Sequence, residues 1–137
     1  MSDRNKDLMR RFVKAGNSVD LDALDDIMTS DFVRHCEATP DVVVNSREDF
    51  KEFLRETVAT FPDQHVVMEM LISEGDKIAF WGTFSGTQKG VMGPFPATGK
   101  FMKVDISGVF RVQDGKLAEE WVTWDNLAGL IQLGLFP

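Results

Sequence analysis

Residues 101–124 read FMKVDISGVFRVQDGKLAEEWVTW, two runs of strand-like sequence on either side of Asp114-Gly115. An Asp-Gly pair between two such runs is typical of a tight β-hairpin. From Met102 to Val112, every second residue of the first run is apolar or glycine. This alternation predicts a strand with one face buried against other elements and one face outside.

The same pattern continues upstream of this hairpin. Residues 66–73 and 78–87 are predicted strands joined at Glu74-Gly75-Asp76-Lys77, and residues 88–100 form a loop rich in Gly and Pro. Helical spacing dominates the first 61 residues instead. The predicted helices there are residues 4–17, a short helix after Asp20, and one opened by the capping-box pattern Ser46-Arg47-Glu48-Asp49.

A short strand, Phe32–Glu37, is predicted between the second and third helices, and a terminal helix around residues 127–133. Helices that precede an antiparallel meander indicate an α+β fold. We therefore expect one domain over residues 1–137, a strongly curved antiparallel sheet packed on the N-terminal helices, with a small apolar molecule held between them.

Composition excludes several classes of function. The net charge of −7 over 137 residues argues against nucleic acid as a partner, because phosphate binding needs a concentrated basic face. One cysteine and two histidines are too few for a usual structural zinc site, so no metal is expected. No apolar run is long enough for a membrane span, and the polar N-terminus differs from a signal peptide, so the expected location is the cytoplasm.

The hairpin register decides which side chains face the helices. A two-residue turn at Asp114-Gly115 pairs Val112 with Leu117, Gly108 with Trp121, and Val104 with Asp125. Trp121 and Asp125 then face the helices, whereas a slip of one residue would turn them to the other side. The opposite row of residues 101–111 is mixed in polarity, which favours a homodimer through the sheet face.

Four segments resemble a known family. They are Phe110–Trp121, Asp125–Gly134, Gly16–Leu24 and Asp31–His35. In this order and spacing they are similar to the SnoaL-like polyketide cyclases, which belong to the superfamily named after nuclear transport factor 2. The resemblance covers nearly the whole chain and implies a cone-shaped α+β barrel, or cystatin-like roll, around a deep pocket.

The resemblance also implies cofactor-free acid/base chemistry. An Asp near the end of the last strand acts as acid/base in the characterised cyclases, and Asp125 is the position that resembles it. Asp125 also sits where an N-cap of the terminal helix belongs, and the two roles are compatible. His35 resembles a position that reaches the pocket, although a histidine bonded to backbone is the alternative. The His and Gln that the cyclases carry on their third strand are missing here before Gln113.

Glu69 is the third catalytic candidate, because a two-residue turn at Gly75-Asp76 puts it on the apolar face with Phe80 and Phe84. A lone acid on such a face is paired, at a rim, or functional. The loop 88–100 is either a mobile lid or a rigid surface loop. The residues predicted to bind the ligand are Trp121, Phe80, Phe84, Ile106, Phe12 and Phe53.

Two classes of function remain open. The first is a cofactor-free enzyme acting on a hydrophobic carbonyl compound, either an aldol cyclase of polyketide-like substrates or a ketosteroid isomerase-like isomerase. The second is a ligand-binding or stress-related module without chemistry. A carboxylate buried beside an open pocket would favour the enzyme, and a pocket lined only by apolar groups would favour the module.

Overall fold

A computed structural model describes residues 3–136. The elements in chain order are α1 (Asp3–Ser18), α2 (Leu24–Ile27), β1 (Met28–His35), α3 (Arg47–Thr60), β2 (His65–Glu74), β3 (Lys77–Thr87), β4 (Phe101–Gln113), β5 (Lys116–Trp124) and α4 (Asn126–Gln132). The α+β class is therefore confirmed, with helices before the sheet as the sequence predicts.

The helices begin and end where their capping residues stand. The Ser46 hydroxyl accepts a hydrogen bond from the Asp49 amide at 3.0 Å, and the Asp49 carboxylate accepts one from the Asn45 amide at 3.0 Å. The first bond satisfies an amide that the first turn of α3 leaves open, and the second ties the residue before the N-cap to that turn. Gly134, at a φ of 73°, follows α4 in the left-handed conformation that often terminates helices.

The sheet is mixed and not closed, with strand order β1-β5-β4-β3-β2. Strands β2 to β5 form the predicted antiparallel meander, but β1 runs parallel to its neighbour β5. The prediction of a purely antiparallel sheet was wrong at this edge. β1 precedes the meander and is connected to β2 through α3, so no hairpin forces it to run antiparallel to β5. The local pattern of residues 28–35 does not specify its direction.

Two β-bulges interrupt the meander. Ala118 is an extra residue of β5, since Arg111 pairs with Glu119 while Val112 pairs with Leu117. Glu69 is an extra residue of β2, placed between the pairs that Met68 and Met70 make. A bulge bends its strand and increases the twist, so both bulges add to the curvature of the sheet.

Two glycines of the sheet lie at points of close approach, Gly82 opposite Met68 beside the bulge of β2 and Gly108 opposite Val122. A Cβ on Gly82 would overlap the Val67 carbonyl oxygen, and one on Gly108 would overlap the Trp121 carbonyl oxygen. Only glycine accommodates such an approach of neighbouring backbone without a shift of the strands. Gly82 therefore belongs to the bend at Glu69, and Gly108 allows β5 to approach β4 closely.

The inner face of the sheet packs on the helices, as predicted for the row Met102 to Val112. Met102, Val104, Ile106 and Phe110 of this row are buried. Phe110 joins a cluster of aromatic rings whose centroids lie within 6 Å of a neighbour: Phe12, Phe32, Phe50, Phe53, Phe80 and Phe110. This cluster closes one end of the space between helices and sheet.

α1 is tied to β2 by a side chain. The amide group of Asn17 donates to the Val66 carbonyl at 2.9 Å and accepts from the Val66 amide at 2.8 Å. The Gln64 side chain donates to the Gly16 carbonyl at 2.8 Å. These bonds fix the end of α1 over the edge of the sheet and leave a cavity between α1, α3 and the inner strands.

Candidate active site

A cavity of about 550 Å³ lies between the helices and the inner face of the sheet. Its wall is mostly apolar and includes aromatic side chains from α1, α3, β3 and β5. A volume of this size is typical of sites for small organic molecules. Five of the predicted ligand-binding residues line it: Phe12, Phe53, Phe80, Phe84 and Ile106.

The buried acid in the wall of this cavity is Glu120. It lies on β5 opposite Phe110, it is buried, and it lines the cavity. Burial raises the pKa of the Glu120 carboxyl from 4.5 to about 7, although the positive charge of Arg34 acts in the opposite direction. A carboxyl group with a pKa near neutrality holds or releases a proton at physiological pH, as a general acid or base must.

Arg34 is the positive partner of Glu120. Its Nε atom lies 3.6 Å from Glu120 Oε1, and the side chains are 5% and 9% exposed respectively. The guanidinium carbon lies 4.3 Å from the centre of the Phe53 ring and 5.8 Å from that of Trp124, so both rings contribute cation–π attraction. The cavity therefore contains one buried ion pair in apolar surroundings.

Asp125 does not face the cavity, so the predicted orientation was wrong. The hairpin turn has the two residues expected, with Gln113 opposite Lys116, but the bulge at Ala118 reverses the side-chain orientation from there on. Asp125 is exposed and caps α4, its Oδ1 accepting from the Ala128 amide at 3.0 Å. The capping interpretation of this residue is confirmed.

His35 and Trp121 lie on the outer face of the sheet, also against prediction. The side chain of His35 is 47% exposed, and its Nε2 lies 2.7 Å from Glu119 Oε2. Its ring stacks on Trp121, which is 39% exposed, with centroids 5.4 Å apart. The bond from His35 lowers the pKa of the Glu119 carboxyl, assisted by Arg111. Trp121 faces outward because the extra residue Ala118 shifts the register of β5.

Glu69 is exposed at the bulge of β2. The expected pairing with Gly82 is made by Met68 instead, and Met68 lines the cavity. Glu69 borders a separate, shallower depression between α1 and β2, with His65 and Lys14. The prediction that Glu69 shares the apolar face was therefore wrong, because Glu69 is itself the extra residue of a bulge, as Ala118 is in β5.

The loop 88–100 contributes Val91, Met92 and Gly93 to the cavity wall. The buried Gln88 side chain holds this loop by donating to the Pro96 carbonyl at 3.1 Å and accepting from the Thr98 hydroxyl at 2.9 Å. These bonds favour the rigid loop of the two interpretations. Val91 is 68% exposed, so the cavity meets solvent beside this loop.

Three further features of the described residues bear on the site. No group of three His, Cys, Asp or Glu side chains suited to a metal ion occurs in residues 3–136. None of the helices in that part of the chain has the length and apolar character to cross a membrane. The free thiol of Cys36 is half-buried next to His35 and does not line the cavity.

An open, curved sheet packed on helices around an apolar cavity is the ketosteroid isomerase-like fold. A model of the family described as SnoaL-like polyketide cyclase matches residues 6–133. The chain therefore belongs to the SnoaL-like polyketide cyclase family, as the sequence motifs indicate.

Three solved structures are similar to the chain. TsrD from Streptomyces laurentii is 28% identical, with a TM-score of 0.88 and 99% of each chain covered. IdmH from Streptomyces antibioticus, a proposed polyketide cyclase, is 28% identical, with a TM-score of 0.81 over 94% of this chain and 97% of IdmH. A Catenulispora acidiphila protein described as ketosteroid isomerase-like in fold is 17% identical, with a TM-score of 0.80 over 95% and 93%. No curated protein matches the sequence.

Proposed function

We propose that the protein is a cofactor-free enzyme that performs acid/base chemistry on a hydrophobic, polyketide-like carbonyl compound, with Glu120 as the proton-transferring group. The single observation that carries this proposal is a buried carboxyl group with a pKa near 7 in the wall of an apolar cavity of about 550 Å³. The similarity to IdmH supports the class of substrate.

The proposed reaction is an intramolecular aldol closure. The Glu120 carboxylate accepts a proton from a carbon next to a carbonyl group, and the electron pair of that C–H bond forms an enolate. The positive charge of Arg34 stabilises the enolate oxygen. The enolate carbon then bonds to a second carbonyl carbon of the same molecule, and the new alkoxide takes the proton back from Glu120.

The alternative is a binding module of the same fold without chemistry. That alternative fits a cavity lined by apolar groups alone, and the presence of Arg34 and Glu120 in the wall weighs against it. An isomerase is a narrower variant of the enzyme, since proton removal next to a carbonyl is its first step too. Proton removal is therefore the step that separates the two classes.

Deuterium exchange tests this step without knowledge of the natural substrate. The protein is incubated in D₂O with polycyclic aromatic β-keto esters, and loss of the proton between the carbonyls is followed by NMR. We expect Glu120→Gln to slow exchange by about 100-fold or more, because a positioned general base contributes at least that factor. The matched control is Glu119→Gln, one residue away on the outer face, which should leave the rate unchanged.

A rate that is equal in Glu120→Gln and wild type would contradict the proposal. A wild-type protein that binds these esters without catalysing exchange would favour the binding module. The pH dependence provides a second check. Because the base must be ionised, the exchange rate should rise with pH and level off above about 7.

A further inference from the structure

The guanidinium of Arg34 has few acceptors within the described residues. Its side chain is 5% exposed and lines the cavity. The 3.6 Å separation from Glu120 is longer than a good hydrogen bond, and no hydrogen bond joins the guanidinium to any other residue in the range 3–136. A guanidinium has five N–H donors. No Arg34 nitrogen is among the fully enclosed atoms without a partner in the described residues, so its donors are open to the space of the cavity.

The cavity offers little else for these donors. Charged residues in its wall are Arg34, Glu120 and Glu56, and Glu56 is exposed on α3. α1 contributes Phe12 and Asn17 to the wall, and the amide of Asn17 is occupied by the Val66 backbone. The wall is otherwise formed by neutral side chains, most of them apolar, so a ligand is the natural acceptor.

The charge of the pair depends on one proton. Arg34 keeps its charge at all pH values of interest, whereas Glu120 can gain or lose a proton. Glu120 faces Arg34 in the cavity wall and Phe110 on the neighbouring strand. With Glu120 ionised the pair is neutral overall. With Glu120 protonated the pair carries a net positive charge in apolar surroundings, and an anion is the ligand that balances it.

We propose that the cavity takes a flat apolar molecule bearing one delocalised oxyanion, a carboxylate or the enolate of a β-dicarbonyl, which binds Arg34 while Glu120 is protonated. The guanidinium fork suits a planar oxyanion with two acceptor oxygens. The inference rests on the proposed function, because it assigns the ligand of the same site. The bound anion reproduces the charges present after Glu120 has taken a proton from a substrate.

A pair of isosteric probes tests this inference. Anthracene-2-carboxylate and anthracene-2-carboxamide differ in charge but hardly in shape, and anthracene fluorescence reports their binding from pH 5.5 to 9. We expect the carboxylate to bind at least tenfold more tightly than the carboxamide at pH 6. Its affinity should fall about tenfold per pH unit above 7, since each bound anion then takes up one proton.

Two variants separate the roles of the ion pair. Arg34→Gln should abolish the preference for the carboxylate, a loss of about tenfold or more. Glu120→Gln mimics the protonated acid, so it should keep the preference and lose the pH dependence. The Glu120→Gln result decides the matter if Arg34→Gln fails to fold. Glu119→Gln is the control and should behave as wild type.

Equal affinity for the two probes, a preference that survives in Arg34→Gln, or absence of binding of either probe would overturn the inference. Deuterium exchange on the same samples distinguishes its failure from that of the proposed function. If exchange needs Glu120 but no preference for the anion is found, only the inference fails. If the preference is found but exchange is absent, the cavity is an anion-binding site and the proposed reaction fails.

Discussion

Replacement of Glu120 by Gln should raise the free energy of unfolding relative to that of wild type by an amount that grows as the pH rises. The pKa of this carboxyl is raised from 4.5 to about 7 in the folded state. Between these values the unfolded chain has released the proton and the folded protein has not. Wild-type stability therefore falls as the pH rises from about 4.5, and the loss is complete above about 7.

The size of the effect follows from the pKa values. One pKa unit corresponds to about 1.4 kcal/mol, so a rise from 4.5 to about 7 corresponds to about 3 kcal/mol. Gln keeps the shape of the acid without its charge, so the variant lacks this penalty. Removing the carboxylate also leaves Arg34 without its counter-charge, but that cost is the same at every pH, because arginine stays ionised.

Urea unfolding of both proteins between pH 4.5 and 8.5 measures the difference. The stability of Glu120→Gln minus that of wild type should grow by about 3 kcal/mol across this range. Glu119→Gln should show no such trend over this range, because its change in stability lies below about pH 4.5. Its partner His35 lowers the pKa of the Glu119 carboxyl, so the native residue contributes stability above its unfolded pKa that is lost on acidification. A difference for Glu120→Gln that stays constant with pH would contradict a raised pKa of Glu120.

Four further predictions address other parts of the structure. Arg34→Gln removes the charge that lowers the pKa of Glu120, so the midpoint of the pH–rate profile for deuterium exchange should move above 7; an unchanged midpoint would contradict the pairing. Asp125→Ala should cost about 1 kcal/mol in urea unfolding through loss of the α4 cap, whereas Asp125→Asn, which still caps, should cost little, and both should keep the exchange rate. Gly108→Ala should cost about 3 kcal/mol, because its Cβ would overlap the backbone of β5, and wild-type stability of this variant would argue against the close approach. The outer face exposes Trp81 and other large apolar side chains, which predicts a homodimer through the sheet; light scattering should show a dimer for wild type and a monomer for Trp81→Lys, and a monomeric wild type would exclude it.

The tight turns were predictable from sequence because their determinants are local. Asp114-Gly115 adopts positive φ values of 53° and 77°, which is the backbone that this pair favours in a two-residue hairpin. The capping box at Ser46 is likewise encoded within four residues. The family followed from motifs spread over the chain, and the family model confirms it.

The orientation of the site residues could not be predicted in the same way. The bulges at Ala118 and Glu69 serve the curvature of the whole sheet, and a local pattern of alternation does not reveal where an extra residue falls. One extra residue exchanges the two faces of a strand. Asp125 and Trp121 thereby moved outside, and Glu120 moved inside.

A signal for the missed residues was nevertheless present. Arg34 and His35 are adjacent on a strand, as are Glu119 and Glu120, and adjacent strand residues point to opposite faces. Whatever the register, each pair must place one polar side chain towards the cavity. The sequence therefore indicated a buried pair of polar side chains. Which residue of each pair faces the cavity depends on the register of the strands.

The proposed mechanism requires Glu120 to titrate within the cavity near neutral pH. A ¹³C NMR titration of protein labelled at the glutamate carboxyl carbons, with Glu120→Gln to assign the signal, tests it most directly. We expect a carboxyl resonance that titrates with a midpoint of about 7 and is missing from the variant. A Glu120 signal with a midpoint at or below 4.5 would mean a permanently ionised, structural ion pair and would contradict the role of Glu120 as the proton-transferring group.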